Sequence, residues 1–359
     1  MKSSLEALCG RMTEAGLGGY WVVSPANVRY LCGFTGEDST LIVAADGGSF
    51  LVTDSRFTEQ ARREAEVDEV VCREDGMTAE VARVACDARI SPLGFTARRV
   101  SYQRWEDLQG ARGLELQAVE RGLPEELRTT KSSAEVEAIR RSVEVNEAAF
   151  RRLLEWLEPG RTETMAAARL EYEQRLDGAE GRAFETICAA GARASMPHAH
   201  SGSAELKDGS SLLIDWGARV DGYCSDLTRT VSVGRMPQKT GELARIAIEA
   251  QQAAIEKMEP GMPVEAVDGA ARDVIAEHGY AENIAHSCGH GVGLEVHEAP
   301  RLSIKSDAKL VPGMVVTVEP GIYIEGEAGA RVEDVVAVTG DGCEVLSSLE
   351  REPVDTTVR

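Results

Sequence analysis

The chain has 359 residues, more than one compact core usually holds, so we expect two domains. Its 60 Asp and Glu outnumber 39 Lys and Arg, and the net charge of −21 argues against nucleic acid and anionic membranes as partners, because both require basic patches. The eight cysteines form no Cys-x-x-Cys pair, and no signal peptide or long apolar run is apparent, so we expect a cytoplasmic protein.

The first third of the chain alternates between helical and strand patterns, which predicts a layered α/β domain. The hairpin signal Asp46-Gly47-Gly48 joins two of its strands. Strands are predicted at 20–23, 40–45, 49–53, 68–72 and 115–119, and helices at 57–65 and 78–88. The turn-forming segment Arg121-Gly122-Leu123-Pro124 predicts a boundary between domains of residues 1–123 and 124–359.

A helix, the tripeptide Glu-Pro-Gly and a second helix occur twice in the second domain. The first copy runs from the capping-box residue Ser132 through Glu158-Pro159-Gly160 to a helix at 162–176. The second copy comprises helices at 241–258 and 263–277 around Glu259-Pro260-Gly261. Strand-like segments follow each copy, so the sequence predicts two similar halves with a site at their junction. Chance similarity of two helical hairpins is the alternative.

Four carboxylates and one histidine of the second domain lie in apolar or glycine-rich segments. They are Asp215, Asp226, His290, Glu319 and Glu333. A carboxylate beside apolar neighbours is costly to bury unless a cation compensates its charge. The two aspartates flank a predicted hairpin turn at about equal distances, so they should lie nearly opposite each other and repel. A lone residue of this kind is more often part of the core, but all five fit one scheme.

That scheme is a site for two divalent cations. Their four positive charges would balance the four carboxylates, while His290 would stay neutral. The oxygen-rich donor set favours Mn²⁺, with Co²⁺ or Zn²⁺ as alternatives. Two such ions can share and activate a hydroxide and stabilise a tetrahedral intermediate. The residues therefore indicate a dimetal hydrolase.

Motifs along nearly the whole chain resemble one known family. Phe34-Thr35-Gly36 and residues 53–57 resemble the creatinase-type N-terminal domain. Five ordered segments of the second domain resemble the pita-bread metallopeptidases, namely 197–202, the Asp215/Asp226 hairpin, 290–300, 319–321 and 331–334. The chain is thus identified as a member of the creatinase, aminopeptidase P and prolidase family. The resemblance implies an α+β fold, in which a pita-bread catalytic domain with an internal pseudo-two-fold repeat follows an α/β creatinase-like domain.

The resemblance also implies which residues hold the metals. Asp215 would bind one ion, and Asp226 and Glu333 would bridge both. His290 and Glu319 would complete the coordination of the other ion.

Further residues would act on the substrate rather than hold metal. Glu319 would also serve as general base for the attacking hydroxide. His198 and His297 would hydrogen-bond the substrate carbonyl or the developing oxyanion, and Arg331 would support Glu333 or a substrate carboxylate. The remaining histidines are expected to be loop or structural residues: His200, His278 and His286.

The function that the resemblance implies is that of an Xaa-Pro peptidase. We expect first an Xaa-Pro aminopeptidase, in which a metal-bridging hydroxide attacks the bond between an N-terminal residue and a following proline. The alternative is an Xaa-Pro dipeptidase (prolidase) restricted to dipeptides. The complete ligand set disfavours a metal-free creatinase or a non-catalytic peptide-binding module, and the extra domain disfavours a methionine aminopeptidase. The expected partners are peptides with proline at the second position and a second copy of the chain in a homodimer.

Overall fold

The computed structural model describes residues 2–111 and 113–356. Internal contacts divide the chain between Arg128 and Thr129, whereas the sequence suggests a boundary at 123/124. The difference arises because the helix that begins at Leu123 is tied to the first unit. Its buried Arg128 donates a hydrogen bond of 2.5 Å to Asn27 Oδ1. Among the described residues, no helix is both long and apolar enough to span a membrane.

The first unit is a mixed sheet with helices on both faces. Its helices are α1 (Lys2–Glu14), α2 (Pro25–Cys32), α3 (Thr58–Glu64), α4 (Met77–Asp87), α5 (Tyr102–Gln109) and α6 (Leu123–Thr129). Its strands are β1 (Gly19–Val22), β2 (Ser39–Ala44), β3 (Ser49–Thr53), β4 (Glu69–Cys72), β5 (Leu93–Thr96) and β6 (Leu116–Val119). They are arranged in the order β4-β3-β2-β1-β5-β6. The strands and helices predicted in this unit are present, whereas α2, α5, α6 and β5 were not predicted from the sequence.

Burial on both faces of this sheet explains the layered architecture. Tyr20 and Leu41 belong to one apolar cluster, and their neighbours Trp21 and Ile42 belong to another. Successive side chains of a strand point to opposite faces, so each cluster fills one side of the sheet. The first unit is therefore an α/β domain, as predicted.

The second unit combines long helices with several antiparallel sheets. Its helices are α7 (Ser133–Trp156), α8 (Glu163–Leu176), α9 (Gln238–Glu256) and α10 (Val264–Glu277). Its strands are β7 (Gly181–Arg182), β8 (Ile187–Ala190), β9 (Ser210–Trp216), β10 (Ala218–Val220), β11 (Tyr223–Cys224), β12 (Leu227–Val233), β13 (Gly289–Gly291), β14 (Glu298–Leu302), β15 (Val315–Val318), β16 (Gly321–Ile324), β17 (Ala328–Arg331), β18 (Asp334–Val338), β19 (Cys343–Val345) and β20 (Val354–Asp355). Short 3₁₀ helices span Ala97–Arg99, Gly191–Ser195 and Ala281–Asn283.

The helix pair followed by three antiparallel strands occurs twice, as predicted. In the first half α7 and α8 precede β8, β9 and β12, which pair in that order. In the second half α9 and α10 precede β13, β15 and β18, which also pair in that order. Gly160 and Gly261 of the two Glu-Pro-Gly segments have φ of 92° and 87°, a conformation that glycine adopts without strain.

The ends of α9 differ from the prediction of 241–258. The helix begins at Gln238, directly after Pro237, whose fixed φ favours the start of a helix. It ends at Glu256 because the next two residues form tighter i→i−3 hydrogen bonds, from Lys257 to Ala254 and from Met258 to Ile255.

A stacked aromatic pair fills the core of the first half. The rings of Phe150 and Trp216 lie 4.4 Å apart at an angle of 12°, and both side chains are buried. Asn146 donates a hydrogen bond to the Trp216 carbonyl, and the Trp216 indole donates one to the Asn146 carbonyl. These contacts hold the end of β9 against α7.

We predict that Phe150→Ala lowers the free energy of unfolding by about 3–5 kcal/mol, because it removes a fully buried ring and leaves a cavity. Phe150→Leu should lower it by less, since more of the volume stays filled. Urea denaturation followed by circular dichroism measures both. Tyr102→Ala is the control, since this ring is 71% exposed, and an equal loss for all three variants would contradict the prediction.

Candidate metal centre

Asp215 and Asp226 lie on one long β-hairpin. Its turn is Asp221-Gly222, and both residues have positive φ, 50° and 81°, as expected for the type I′ turn that matches the twist of two strands. One register runs from the turn to the far end of β9 and β12, and it places Asp215 opposite Thr228. The sequence predicts that the aspartates lie nearly opposite each other, and the register agrees with this to within two residues. They are offset diagonally by two residues, which keeps both on the same face.

His290 and Glu319 come from the sheet of the second half. His290 lies in β13, and Glu319 follows β15, where its N–H donates to the Cys288 carbonyl at 2.7 Å. The glycines beside His290 allow the strands to approach closely. A Cβ at Gly289 would lie 2.0 Å from the Thr317 carbonyl oxygen. Any larger residue there would force the backbone of β13 or β15 to shift.

Glu333 joins the two halves. It lies between β17 and β18 and forms an isolated antiparallel bridge with Thr228 of the first half. The Glu333 N–H donates to the Thr228 carbonyl at 3.1 Å, and the Thr228 hydroxyl donates to Glu333 Oε2 at 2.7 Å. The backbone and side chain of one threonine thus fix this carboxylate beside the aspartate hairpin.

The donor atoms of Asp226, His290 and Glu333 all lie within 4.8 Å of one another. Glu319 approaches the same histidine, with 3.5 Å between His290 Nε2 and Glu319 Oε1. Asp215 lies at the edge of this group, and its Oδ1 is a buried atom without a hydrogen-bond partner among the described residues. The five predicted residues therefore contribute to one site, although only three of them form the compact donor cluster.

Four carboxyl groups perturb one another in this site. Burial, followed by the charges of Glu333 and Asp215, raises the pKa of Asp226 well above its ordinary value. Burial and the neighbouring Glu319 do the same to the pKa of Glu333. Burial raises the pKa of Glu319 to about 8. Without cations these groups cannot all ionise at neutral pH, so the site favours bound positive charge.

The histidine of the cluster is neutral at neutral pH. Burial, together with the nearby His297, lowers the pKa of His290 to about 4. A neutral imidazole beside several carboxylates is a suitable ligand for a divalent cation. The residues present therefore fit the divalent metals that the sequence predicts.

Arg331 is the cation that the protein itself supplies. Its side chain is 3% exposed and lies 2.5 Å from Asp215 Oδ2. It also donates to the Thr228 hydroxyl at 3.0 Å and to the Tyr323 hydroxyl at 2.7 Å. The partner expected from the sequence was Glu333 or a substrate carboxylate. The structure instead pairs Arg331 with Asp215, and it reaches Glu333 only through Thr228.

The other predicted histidines lie around the donor cluster. His297 is exposed, and its ring meets the His290 ring edge-on with 4.3 Å between centroids. His198 is exposed on the segment after the Gly191–Ser195 turn, and burial lowers the pKa of His297 although Asp215 opposes this effect. His200 is also exposed, and its backbone carbonyl accepts a hydrogen bond from Arg193.

Sequence reasoning missed three residues of this site. His286, expected to be structural, lies 3.8 Å from Glu319 and accepts a hydrogen bond of 2.7 Å from the Tyr323 hydroxyl. Burial lowers the pKa of His286 to about 4 and raises that of Tyr323 to about 12, so the ring is neutral and the hydroxyl keeps its proton. Of the three, only Thr228 could have been predicted from the sequence. It follows Asp226 by two positions, and residues two apart on a strand share a face.

Comparison with known proteins gives matches along nearly the whole chain. The family model described as "Metallopeptidase family M24" matches residues 137–340, and the "Creatinase/Prolidase N-terminal domain" matches residues 5–141. An Xaa-Pro dipeptidase of Pyrococcus furiosus is 34% identical over 354 residues, covering 98% of this chain and 99% of that protein.

Two solved structures have the same architecture. One is an Xaa-Pro dipeptidase from Bacillus anthracis, with a TM-score of 0.94 and 35% identity, covering 98% of this chain and 99% of that one. The other is an X-Pro aminopeptidase from Thermotoga maritima, with a TM-score of 0.91, 35% identity and the same coverage of 98% and 99%.

We predict that the metal-free protein loses stability as the pH rises from about 4.5 towards about 8. The folded state raises the pKa of these carboxyls, so it binds more protons than the unfolded chain and is favoured at low pH. Asp226→Asn removes one of these carboxyls and should make the free energy of unfolding depend less on pH. The slope should fall by roughly 1.4 kcal/mol per pH unit in the range where Asp226 is protonated in the folded state and ionised in the unfolded chain.

Thermal melts in EDTA between pH 5 and 8 measure the effect. Asp221→Asn is the matched control, since this aspartate lies in the turn of the same hairpin with its side chain 65% exposed. Equal pH dependence in the wild type and Asp226→Asn would show that the buried carboxyls do not repel one another.

Proposed function

The chain belongs to metallopeptidase family M24 and is a metallo-exopeptidase, and from this premise we propose that it is an Xaa-Pro dipeptidase. The relatives named Xaa-Pro dipeptidase favour the alternative left open by the sequence over the aminopeptidase expected first. The observation that carries the proposal is the 34% identity to the Pyrococcus furiosus enzyme across both domains. The Thermotoga maritima structure keeps the aminopeptidase as a second candidate.

Asp215, Asp226, His290, Glu319 and Glu333 would hold two divalent ions. The proposal is supported by the 4.8 Å donor cluster, by the neutral imidazole and by carboxyls that repel one another without added charge. Oxygen donors in the majority favour Mn²⁺, with Co²⁺ or Zn²⁺ as alternatives. When bound, such ions supply Lewis acidity and lower the pKa of water.

The residues of the chain would manage the proton and the developing charge. Glu319 lies at the rim of the cluster, and the positive charge of the cations would keep its carboxylate ionised, so that it would accept the proton of an attacking water. His297 and His198 are exposed, and both lie near Asp215. They would donate hydrogen bonds to the carbonyl oxygen as negative charge develops there. Arg331 would hold Asp215 and Thr228 in place.

Specificity for proline would follow from the chemistry of the bond. An Xaa-Pro bond is a tertiary amide without an N–H, and the pyrrolidine ring fixes its φ. Enzymes that bind peptides as strands use the N–H of an ordinary peptide bond. Because Xaa-Pro bonds lack this group, their cleavage needs a dedicated site. The proposed substrates are therefore dipeptides with proline at the second position. A homodimer and a cytoplasmic location stay predictions.

We predict that the Mn²⁺-loaded enzyme cleaves Xaa-Pro dipeptides with a kcat/KM roughly 10- to 100-fold higher than Xaa-Pro-Xaa tripeptides, because a site that binds the proline carboxylate loses that contact in a longer peptide. Steady-state assays of Ala-Pro and Ala-Pro-Ala measure the ratio, with an EDTA-treated sample as control. Equal or faster cleavage of the tripeptide would replace the dipeptidase by the aminopeptidase. Activity unchanged by EDTA would reject the metal site.

We predict that His297→Ala keeps its metal content while kcat falls by roughly 10²–10³-fold, because a hydrogen bond to the developing oxyanion is lost. Elemental analysis and steady-state kinetics measure the two quantities. His278→Ala is the control, since this histidine pairs with Glu249 on the surface. A His297→Ala enzyme with the wild-type rate would contradict the assigned role.

A further inference from the structure

Lys131 and Glu298 form an ion pair that is almost completely removed from water. Lys131 Nζ lies 3.1 Å from Glu298 Oε2, and the side chains are 1% and 6% exposed. Taking two charges out of water is costly, and a buried ion pair is weak evidence for a gain in stability. Neither residue belongs to the proposed metal ligands or substrate contacts. The position of the pair therefore calls for another explanation.

The Glu298 carboxylate organises the loop 293–298. Its Oε1 accepts a hydrogen bond of 3.0 Å from the Glu295 N–H. The same carboxylate lies directly over Gly293, where a Cβ would come within 2.8 Å of both oxygens. The Gly293 carbonyl in turn accepts a hydrogen bond of 2.7 Å from Cys224 of the aspartate hairpin. The loop is thus folded around one carboxylate and attached to the strand beside Asp226.

Lys131 is held in place at its backbone. Its N–H donates to the Gly313 carbonyl at 2.7 Å. The next residue, Ser132, forms the capping box with Glu135 that begins α7. The ammonium group therefore extends from a fixed backbone position, which makes it a suitable anchor for the loop.

The loop determines the position of two histidines. His297 precedes Glu298 directly, and its ring packs edge-on against His290 with 4.3 Å between centroids. The Val296 backbone also lies close to the His290 ring. Movement of Glu298 would therefore displace His297 and would remove a contact that orients His290.

We propose that the Lys131–Glu298 ion pair is a positioning pair, which holds His297 at the proposed substrate site through the loop 293–298. This inference rests on the proposed role of His297. Loss of the charge on either partner releases the loop, so turnover falls while substrate affinity changes little.

The first test is epistasis with His297→Ala. Glu298→Gln keeps the shape and removes the charge, and it should lower kcat by roughly 10- to 100-fold with KM changed by less than about threefold. In the His297→Ala background the same substitution should cause no further loss, because the residue being positioned is already absent. Multiplicative losses would overturn the proposal, as would a wild-type kcat for Glu298→Gln.

The matched control is Glu173→Gln. Its carboxylate is also buried, with 3% exposure, and pairs with Arg152 and Arg169 on the α7–α8 helix pair. It undergoes the same chemical change outside the loop 293–298. Its effect on kcat, whatever the size, should multiply with that of His297→Ala. If the kcat losses of Glu173→Gln and His297→Ala were also non-additive, the proposal would be overturned. The non-additivity seen with Glu298→Gln would then reflect a general loss of structure.

The double substitution Lys131→Met with Glu298→Gln separates positioning from stability. It leaves no unpaired charge in the interior, so the melting temperature should recover relative to Glu298→Gln alone. The kcat should stay low, because neither neutral side chain anchors the other. Recovery of kcat together with the melting temperature would assign the pair to stability and overturn the proposal.

A readout independent of activity uses the histidine rings themselves. The chain has six histidines, so long-range ¹H–¹⁵N spectra of the ring nitrogens are assignable by single substitutions. Glu298→Gln should shift the signals of His297 and His290 and leave that of His278 unchanged. Unshifted His297 signals would overturn the proposal. A wild-type enzyme that cleaves no Xaa-Pro peptide would instead overturn the proposed function, and the spectra would still report on the pair.

Discussion

The confinement of four carboxylates to one buried site is the constraint that organises the second unit. Besides burial, Glu333 raises the pKa of Asp226, and the charges of Asp215 and Glu319 raise the pKa of both Asp226 and Glu333. A protein can keep such groups together only if many other contacts fix their backbones and if positive charge is available. Arg331 supplies one positive charge from within the chain. The remaining excess of negative charge favours the binding of divalent cations.

Two consecutive acids, Glu333 and Asp334, show how strand geometry separates the site from its support. Their side chains point in opposite directions. Glu333 joins the other carboxylates, whereas Asp334 lies 2.7 Å from the buried Arg229 and 2.6 Å from Arg351. Burial would raise the pKa of Asp334, but these guanidinium groups outweigh it and hold the pKa below its usual value. Arg229 also donates to the carbonyls of Thr228 and Glu333, so a permanent charge fixes the junction of the two halves directly behind the cluster.

Buried acids also fix the loops that carry the histidines. Glu163, fully buried in α8, accepts hydrogen bonds from the N–H groups of Ala190 and Gly202 and pairs with Arg193, which bounds the segment of His198. Asp268 in α10 does the same for the second half, where it accepts from the N–H of Cys288. In each half, the second helix of the pair therefore supplies a carboxylate that ties a loop of the site to the helix layer. Such contacts give the exposed histidines defined positions.

The sequence by itself determined the features that neighbouring residues encode. The capping box at Ser132, the turns at Gly160 and Gly261 and the tight hairpin at Asp221-Gly222 depend on residues a few positions apart, and so does the repeated order of helices and strands. The types and order of the candidate ligands were also readable, because charged residues in apolar segments are costly unless compensated. The tertiary structure alone decided which of these groups meet. The pairing of Arg331 with Asp215 and the approach of His286 to Glu319 depend on packing between segments far apart in the chain. No local pattern encodes such contacts, because they exist only once segments far apart in the chain have packed together.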